Sequence, residues 1–336
     1  MEMQMRAARV DRYGPPETIK ITAAPIPASG RDEVLVRVEA AAVTSGDARL
    51  RAGRFPRGFA LPARLAIGVC GPRRKIPGAV FSGRIEHQGD GESSLSAGDA
   101  VAGMTGSRLG AHAELLTVPV TALTPLPEGV NHAAAAGALF GGSTALHFLR
   151  DRARIRAGQT VLVNGASGSV GSAAVQLAAC FGATVTAVSS SRNHALLRRL
   201  GAAQTIDYRE APVAALSQRF DVVFDAVGNL NRADGLHLAG TEGLVILTVA
   251  GLMDTATARG RVIAGAAPER KEDFALILDL VARGEFDPLV ETLGGLEALS
   301  EAHRRIDTSR KIGNLVILPR RAYTAAIATA ATGDAR

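Results

Sequence analysis

The segment from Thr160 to Ala187, TVLVNGASGSVGSAAVQLAACFGATVTA, constrains this chain more than any other. Two apolar runs of strand type, Thr160 to Asn164 and Ala183 to Val188, enclose a glycine-rich turn and an alanine-rich helical stretch from Ser172 to Cys180. A strand, a tight turn, a helix and a second strand make a βαβ unit, whose two strands run parallel. Gly165, Gly168 and Gly171 let the backbone turn sharply and come close to a pyrophosphate. The charge of that group would rest on the unpaired N–H groups at the helix start. Ala166, Ser167, Ser169 and Val170 complete the loop. Three glycines alone also fit a turn without a ligand; the flanking strands and helix favour dinucleotide binding.

A chain of 336 residues is too long for one simple core and predicts two domains. The first 120 residues read as β-rich. Glu33 to Ala42, Val80 to His87, Ala100 to Gly103 and Ala113 to Val118 are short runs separated by Gly, Pro and Asp turns, the texture of a barrel or sandwich. From Asn131 the pattern changes to helical Ala/Leu segments alternating with strands at 204–207, 221–226, 243–248 and 261–264, which predicts a doubly wound parallel sheet. Helical spacing at 271–283 and 298–304 and a last strand at 313–318 predict a chain that closes back onto the N-terminal domain. The expected division is 1–123 for a substrate domain, 124–265 for a nucleotide-binding domain, 266–319 for the return segment and 320–336 for a disordered tail.

The net charge of +6 invites a nucleic-acid reading, yet only four of the 38 basic residues are lysines, which points to composition bias. One local cluster stands out: Arg49, Arg51, Arg54, Arg57, Arg64, Arg73, Arg74 and Lys75. It fits a solvated face, a contact with a partner or anionic surface, or part of an anionic substrate site. No aromatic residues interleave with it as a stacking platform would require, so no nucleic-acid partner is expected. No apolar run is long enough to span a membrane and the N-terminus has no secretory apolar core, so a cytoplasmic protein is expected. Cys70 and Cys180 are too far apart in sequence to suggest a metal cluster or a disulfide framework.

The end of the second strand of the βαβ unit reads Val188-Ser189-Ser190-Ser191-Arg192-Asn193. A carboxylate there would bind the ribose 2′-hydroxyl of NAD. Here hydroxyls and a guanidinium are available for a 2′-phosphate instead, and the expected cofactor is NADPH. The alternative for Arg192 is a solvated residue at a helix start.

Further motifs carry a family resemblance. Tyr13-Gly14-Pro15, AAVTSGDARLRAG (41–53), PGAVFSG (77–83), GDAVAG (98–103), GAHAE (110–114), the loop 165–171, Leu200-Gly201-Ala202, Ile206-Asp207-Tyr208-Arg209 and DVVFDAVG (221–228) come in order. From about Arg6 to Leu318 the chain resembles the zinc-free branch of the medium-chain dehydrogenase/reductase superfamily, the quinone oxidoreductases and zeta-crystallin-like proteins. The resemblance implies an α/β fold, a Rossmann domain with a β-rich GroES-like barrel completed by the C-terminal segment. It also implies Tyr208, Val227, Gly228, Ala250 and Gly251 near the cofactor, and a homodimer, for which 243–248 is a plausible contact strand. Zinc-dependent relatives carry a Cys and a Gly-His-Glu where this chain has Thr44 and Gly78-Ala79-Val80, side chains that cannot ligate the metal, so no metal is expected.

Together these features predict an enzyme: a zinc-independent, NADPH-dependent reductase passing a hydride to a small electrophile, a quinone or an α,β-unsaturated carbonyl compound, between two domains. Thr44, Asp47, Ser143 and Thr144 are the catalytic candidates, with Arg51 and Phe140 as further walls. Thr44 and the Ser143/Thr144 pair fit hydrogen bonds to a carbonyl or to the nicotinamide; each also fits a structural hydroxyl, and Asp47 fits a helix cap. An enoyl-thioester reductase and a non-catalytic NADPH-binding redox sensor are the alternatives.

Overall fold

Alternating apolar residues build the first sheet of this computed structural model, which describes residues 3–89, 91, 95–210 and 212–320. Strands β1 (Gln4–Val10) and β2 (Ile19–Pro25) form an antiparallel pair. The long β3 (Glu33–Val43) buries every second side chain over most of its length, so Val34, Val36, Val38 and Ala40 are all fully buried. Two short helices follow, α1 (Ser45–Ala52) and α2 (Ala60–Ile67), then β4 (Val80–Gln88), β5 (Ala100–Met104), β6 (Leu115–Pro119) and β7 (Leu123–Pro125).

Asn131 starts helix α3 (His132–Leu146), its side chain accepting a hydrogen bond from the Ala134 N–H at 2.8 Å. Small residues let α3 pack on both sides. Ala135, Ala136 and Leu139 meet the N-terminal sheet, while Ala138, Ala145 and Leu146 enter the core of the second domain. That domain contains β8 (Thr160–Asn164), α4 (Ser169–Cys180), β9 (Thr184–Ser189), α5 (His194–Arg199), β10 (Ala202–Asp207), β11 (Val222–Asp225), α6 (Arg232–Leu238), β12 (Leu244–Leu247), α7 (Leu252–Ala256) and β13 (Val262–Ala264). Its six strands are all parallel, in the order β10-β9-β8-β11-β12-β13. This is the Rossmann order, with a crevice at the carboxyl ends where the winding reverses between β8 and β11.

Helix α8 (Lys271–Ala282) then leads back to β14 (Val290–Thr292), α9 (Leu299–Asp307) and β15 (Asn314–Ile317). Both strands join the N-terminal sheet, whose order is β14-β15-β3-β4-β5-β7 with β6 on β3. The expected two-domain α/β architecture with a C-terminal return is therefore the one observed.

Three expectations change. Helix α4 starts at Ser169, not Ser172, because Gly168 with φ −79° and ψ 176° is its N-cap; the end of the glycine loop is the first helical turn. The strand at 243–248, expected as a contact edge, is interior: β12 lies between β11 and β13, and the edges are β10 and β13. Strands β1, β2 and β14 and helix α2 are elements beyond those expected. The disordered tail expected at 320–336 lies, beyond Arg320, outside the described residues. Among the described residues no helix is long and apolar enough to cross a membrane.

Candidate functional site

A cleft of about 380 Å³ opens between the domains at the carboxyl ends of β8, β9 and β11. From the expected cofactor set it is lined by Gly165, Ser167, Gly168, Ser169, Val170, Gly171, Ser189, Ser190, Arg192, Tyr208 and Val227. Ala166 is fully buried beneath the loop, and Gly228, Ala250 and Gly251 lie outside the lining. The glycines differ in why they are glycines. Gly165 has φ +76°, and a Cβ there would sit 2.3 Å from the Val227 side chain. At Gly171 a Cβ would meet the Gly165 carbonyl at 2.2 Å. Gly168 is unconstrained, with the nearest atom to an added Cβ at 3.5 Å. Its absent side chain leaves room in the cleft.

Asp225, fully buried at the end of β11, shapes the opposite lip. Its carboxylate accepts hydrogen bonds from the N–H groups of Val227, Gly228 and Leu230 at 3.0–3.2 Å and from the Asn164 side-chain amide at 2.9 Å. The same amide donates to Asn229 Oδ1 at 2.6 Å, which ties two lining residues together. At the end of β9, Ser191 N–H and Arg209 hold the Asp207 carboxylate, and Arg209 keeps it ionised far below the usual carboxylate range.

The cleft also contains residues that sequence reasoning missed: Ser45, Asn229, Ser309, Arg310, Lys311 and Asn314. The C-terminal group arrives by long-range pairing, the Gly313 N–H donating to the Ser167 carbonyl at 2.9 Å. The only advance signal was a basic pair before the last strand. Burial draws the Lys311 ammonium down to about 8, and it donates to the Gly313 carbonyl. Arg192 donates to the Arg310 carbonyl at 3.0 Å, which brings the two side chains to one end of the cleft.

The catalytic candidates separate. Thr44 lines the cleft, but its hydroxyl donates to Asp47 Oδ2 at 2.7 Å and accepts from the Asp47 N–H at 3.2 Å. With the Thr44 N–H donating to Asp47 Oδ2 at 2.8 Å, the two form the capping box of α1. Asp47 is buried and outside the lining. Ser143 is buried in α3, its hydroxyl donating back to the Leu139 carbonyl at 2.7 Å; neither it nor Thr144 lines the cleft, whereas Phe140 does. Arg51, expected as a wall, is instead 1% exposed in the interior, donating to the Gly14 carbonyl at 2.7 Å and to Asp307 at 2.6 Å. Helical phase accounts for this: Ser45 and Arg49, four apart, share the cleft face of α1, and Arg51 points away.

Beneath α1, His303 of α9 is fully buried with neither ring nitrogen hydrogen-bonded, edge-on to His112 at 6.5 Å. Burial pulls its pKa down to about 3; Asp47 opposes that shift, and His112 and Arg51 add to it. The folded chain thus keeps the ring neutral while the unfolded chain, with a pKa near 6.5, takes up a proton. Stability is therefore expected to fall as pH drops from about 6.5 toward 3, by at most about 1.4 kcal/mol per unit. Denaturant melts of His303→Leu should show a flatter slope between pH 6.5 and 4.5, above the range where the carboxylates titrate. An unchanged slope would place the acid sensitivity elsewhere.

A nicotinamide dinucleotide fits this cleft. Ser169, at the first helical position of α4, lines the cleft with the N–H groups of that turn, its buried Oγ lying against Gly141 of α3 without a partner; among the described residues four cations and no carboxylate line the walls. Zinc does not fit the positions that hold it in zinc-dependent relatives. Thr44, Ala79 and Val80 offer no thiolate or imidazole, and among the described residues no group of three or more His, Cys, Asp or Glu could hold a metal ion.

Comparison with known proteins agrees with the architecture. Residues 30–128 match the alcohol dehydrogenase GroES-like domain, and residues 200–317 match a family described as zinc-binding dehydrogenase. The chain is 30% identical to the quinone oxidoreductase of Rattus norvegicus, over 94% of its own length and 98% of that protein's. It is 28% identical to an NADPH-dependent alkenal/one oxidoreductase of Arabidopsis thaliana, over 94% of its own length and 80% of the relative's. The solved quinone oxidoreductase of Coxiella burnetii superposes with a TM-score of 0.85 at 27% identity, covering 95% of this chain and all of that one.

Proposed function

Because the chain belongs to the medium-chain dehydrogenase/reductase superfamily, in its quinone oxidoreductase branch, we propose that it is a zinc-independent NADPH-dependent reductase of quinones or α,β-unsaturated carbonyl compounds. The observation that carries the cofactor choice is the charge at the β9 end of the cleft: Arg192, Arg310 and Lys311 line it and, among the described residues, no Asp or Glu does. A dinucleotide with a 2′-phosphate balances such a wall better than one without.

When bound, the dihydronicotinamide supplies a hydride. The chain's own work is to bind, orient and exclude water. The N–H groups at the start of α4 would hold the pyrophosphate, with Lys311 beside them. Arg192 and Arg310 would take the 2′-phosphate. Phe140 keeps one wall dry. Ser45, whose hydroxyl has no partner among the described residues, would donate to the acceptor carbonyl, and Asp47 fixes the neighbouring Thr44 hydroxyl. Such electrophilic acceptors need positioning more than a Lewis acid. An edge strand of the six-stranded sheet, β10 or β13, is the one that would pair in a homodimer.

The test is oxidation of NADPH and NADH against a panel of quinones, enones and simple alcohols or ketones, with and without exhaustive chelation. NADPH-driven reduction of quinones or enones that survives chelation is expected. Chelator-sensitive oxidation of simple alcohols, or turnover of no acceptor at all, would overturn the reading.

A further inference from the structure

Most of the basic cluster between Arg49 and Lys75 is committed to partners away from the cleft. Arg51 and Arg54 share Asp307, Arg64 lies 5.5 Å over the Tyr13 ring, Arg73 donates to the Ala66 carbonyl at 3.1 Å, and Lys75 donates to the Asp11 carbonyl at 3.0 Å. Of the eight residues only Arg49 reaches the cleft. It is half-buried there, and its side chain forms no hydrogen bond or ion pair among the described residues. Burial draws its pKa down, and among the described residues no carboxylate lies near enough to oppose that. A guanidinium taken partly out of water with no counter-charge is costly unless an anion meets it.

The cofactor's phosphates already have partners. Arg192 and Arg310 sit together at the end of β9, and Lys311 is adjacent to Gly313, which is bonded to Ser167 of the glycine loop. Arg49 stands on the other wall, on the face of α1 shared with Ser45. It is the one charged side chain that residues 3–123 contribute to the cleft, among those described. That wall is the one left for the acceptor when the Rossmann domain holds the dinucleotide.

We propose that Arg49 is a specificity-determining residue that selects acceptors carrying an anionic group, a carboxylate or sulfonate attached to the enone or quinone. This rests on the reductase reading above. For an enone the step balances as one hydride from NADPH to the β-carbon and one proton from water to the α-carbon. The carbon–carbon π bond is lost, NADPH becomes NADP⁺, and the carboxylate is unchanged. The guanidinium pairs with that carboxylate as a charge-assisted, bidentate partner and takes no part in the bond changes.

Matched probes test this: trans-4-oxopent-2-enoate against its methyl ester, and 1,2-naphthoquinone-4-sulfonate against 1,2-naphthoquinone, at fixed ionic strength. The charged member of each pair should show at least tenfold higher kcat/KM, mainly through KM. Arg49→Gln should erase the difference while leaving the neutral member and the NADPH dissociation constant unchanged, and Arg49→Lys should restore part of it. Calorimetric binding of 4-oxopentanoate and its methyl ester to the NADP⁺-loaded protein reads the same preference without turnover. It therefore separates failure of this proposal from failure of the reductase reading. No preference for the anion in binding, or a weakened NADPH affinity in Arg49→Gln, would overturn the assignment. The second result would give Arg49 to the cofactor instead.

Discussion

Gly168→Val is expected to abolish binding of NADPH and NADH alike, with an affinity loss of at least about a hundredfold, roughly 2.7 kcal/mol, in a protein that still folds. The reason lies in the backbone. Gly168 has an ordinary φ of −79°, and the nearest atom to an added Cβ is 3.5 Å away, so the folded chain accepts a side chain. The isopropyl group would then stand in the cleft where the pyrophosphate must approach the loop. Gly171→Val makes the contrast: its Cβ would lie 2.2 Å from the Gly165 carbonyl, so that variant should lose stability as well as binding. Calorimetric titration beside a thermal melt separates the two. Normal cofactor affinity in folded Gly168→Val would remove the loop from the binding site.

Arg192→Ala is expected to weaken NADPH binding by about 1.5–3 kcal/mol, or roughly 10- to 150-fold, and to leave NADH nearly unchanged. Only the 2′-phosphate would lose a charge-assisted partner. Arg192 is exposed, and its one hydrogen bond, to the Arg310 carbonyl, aims the side chain along the cleft. Its removal should therefore cost little stability. Asp207, the nearest acid in the next strand, is committed to the Ser191 N–H and to Arg209. Dissociation constants for both cofactors check this. Equal weakening of the two, or none, would put the phosphate in other hands.

The features legible in the sequence are those whose physics is local. The glycine spacing at 165–171, the apolar runs on either side and the Ala-rich helix after them specify the βαβ unit, because turn chemistry and strand and helix periods act over a few residues. The alternation in β3 and the change of texture after Asn131 likewise mark the two domains. The tertiary structure alone decided which side chains meet in the cleft. Arg310, Lys311 and Asn314 lie more than a hundred residues from the glycine loop and reach it because β15 pairs with β3 and Gly313 bonds to Ser167. In the basic cluster, the sequence points to Arg51 rather than Arg49 as a wall of the site. The phase of α1, set by packing Ala48 and Arg51 against the interior, turned Arg49 into the cleft and tied Arg51 to Asp307. In the sequence Thr44 and Ser143 each fit either a substrate contact or a structural hydroxyl; the capping box commits Thr44 to Asp47, and Ser143 spends its hydroxyl on its own helix. A residue's type is written locally, but its hydrogen-bond partner and the face it presents are settled only when distant elements pack.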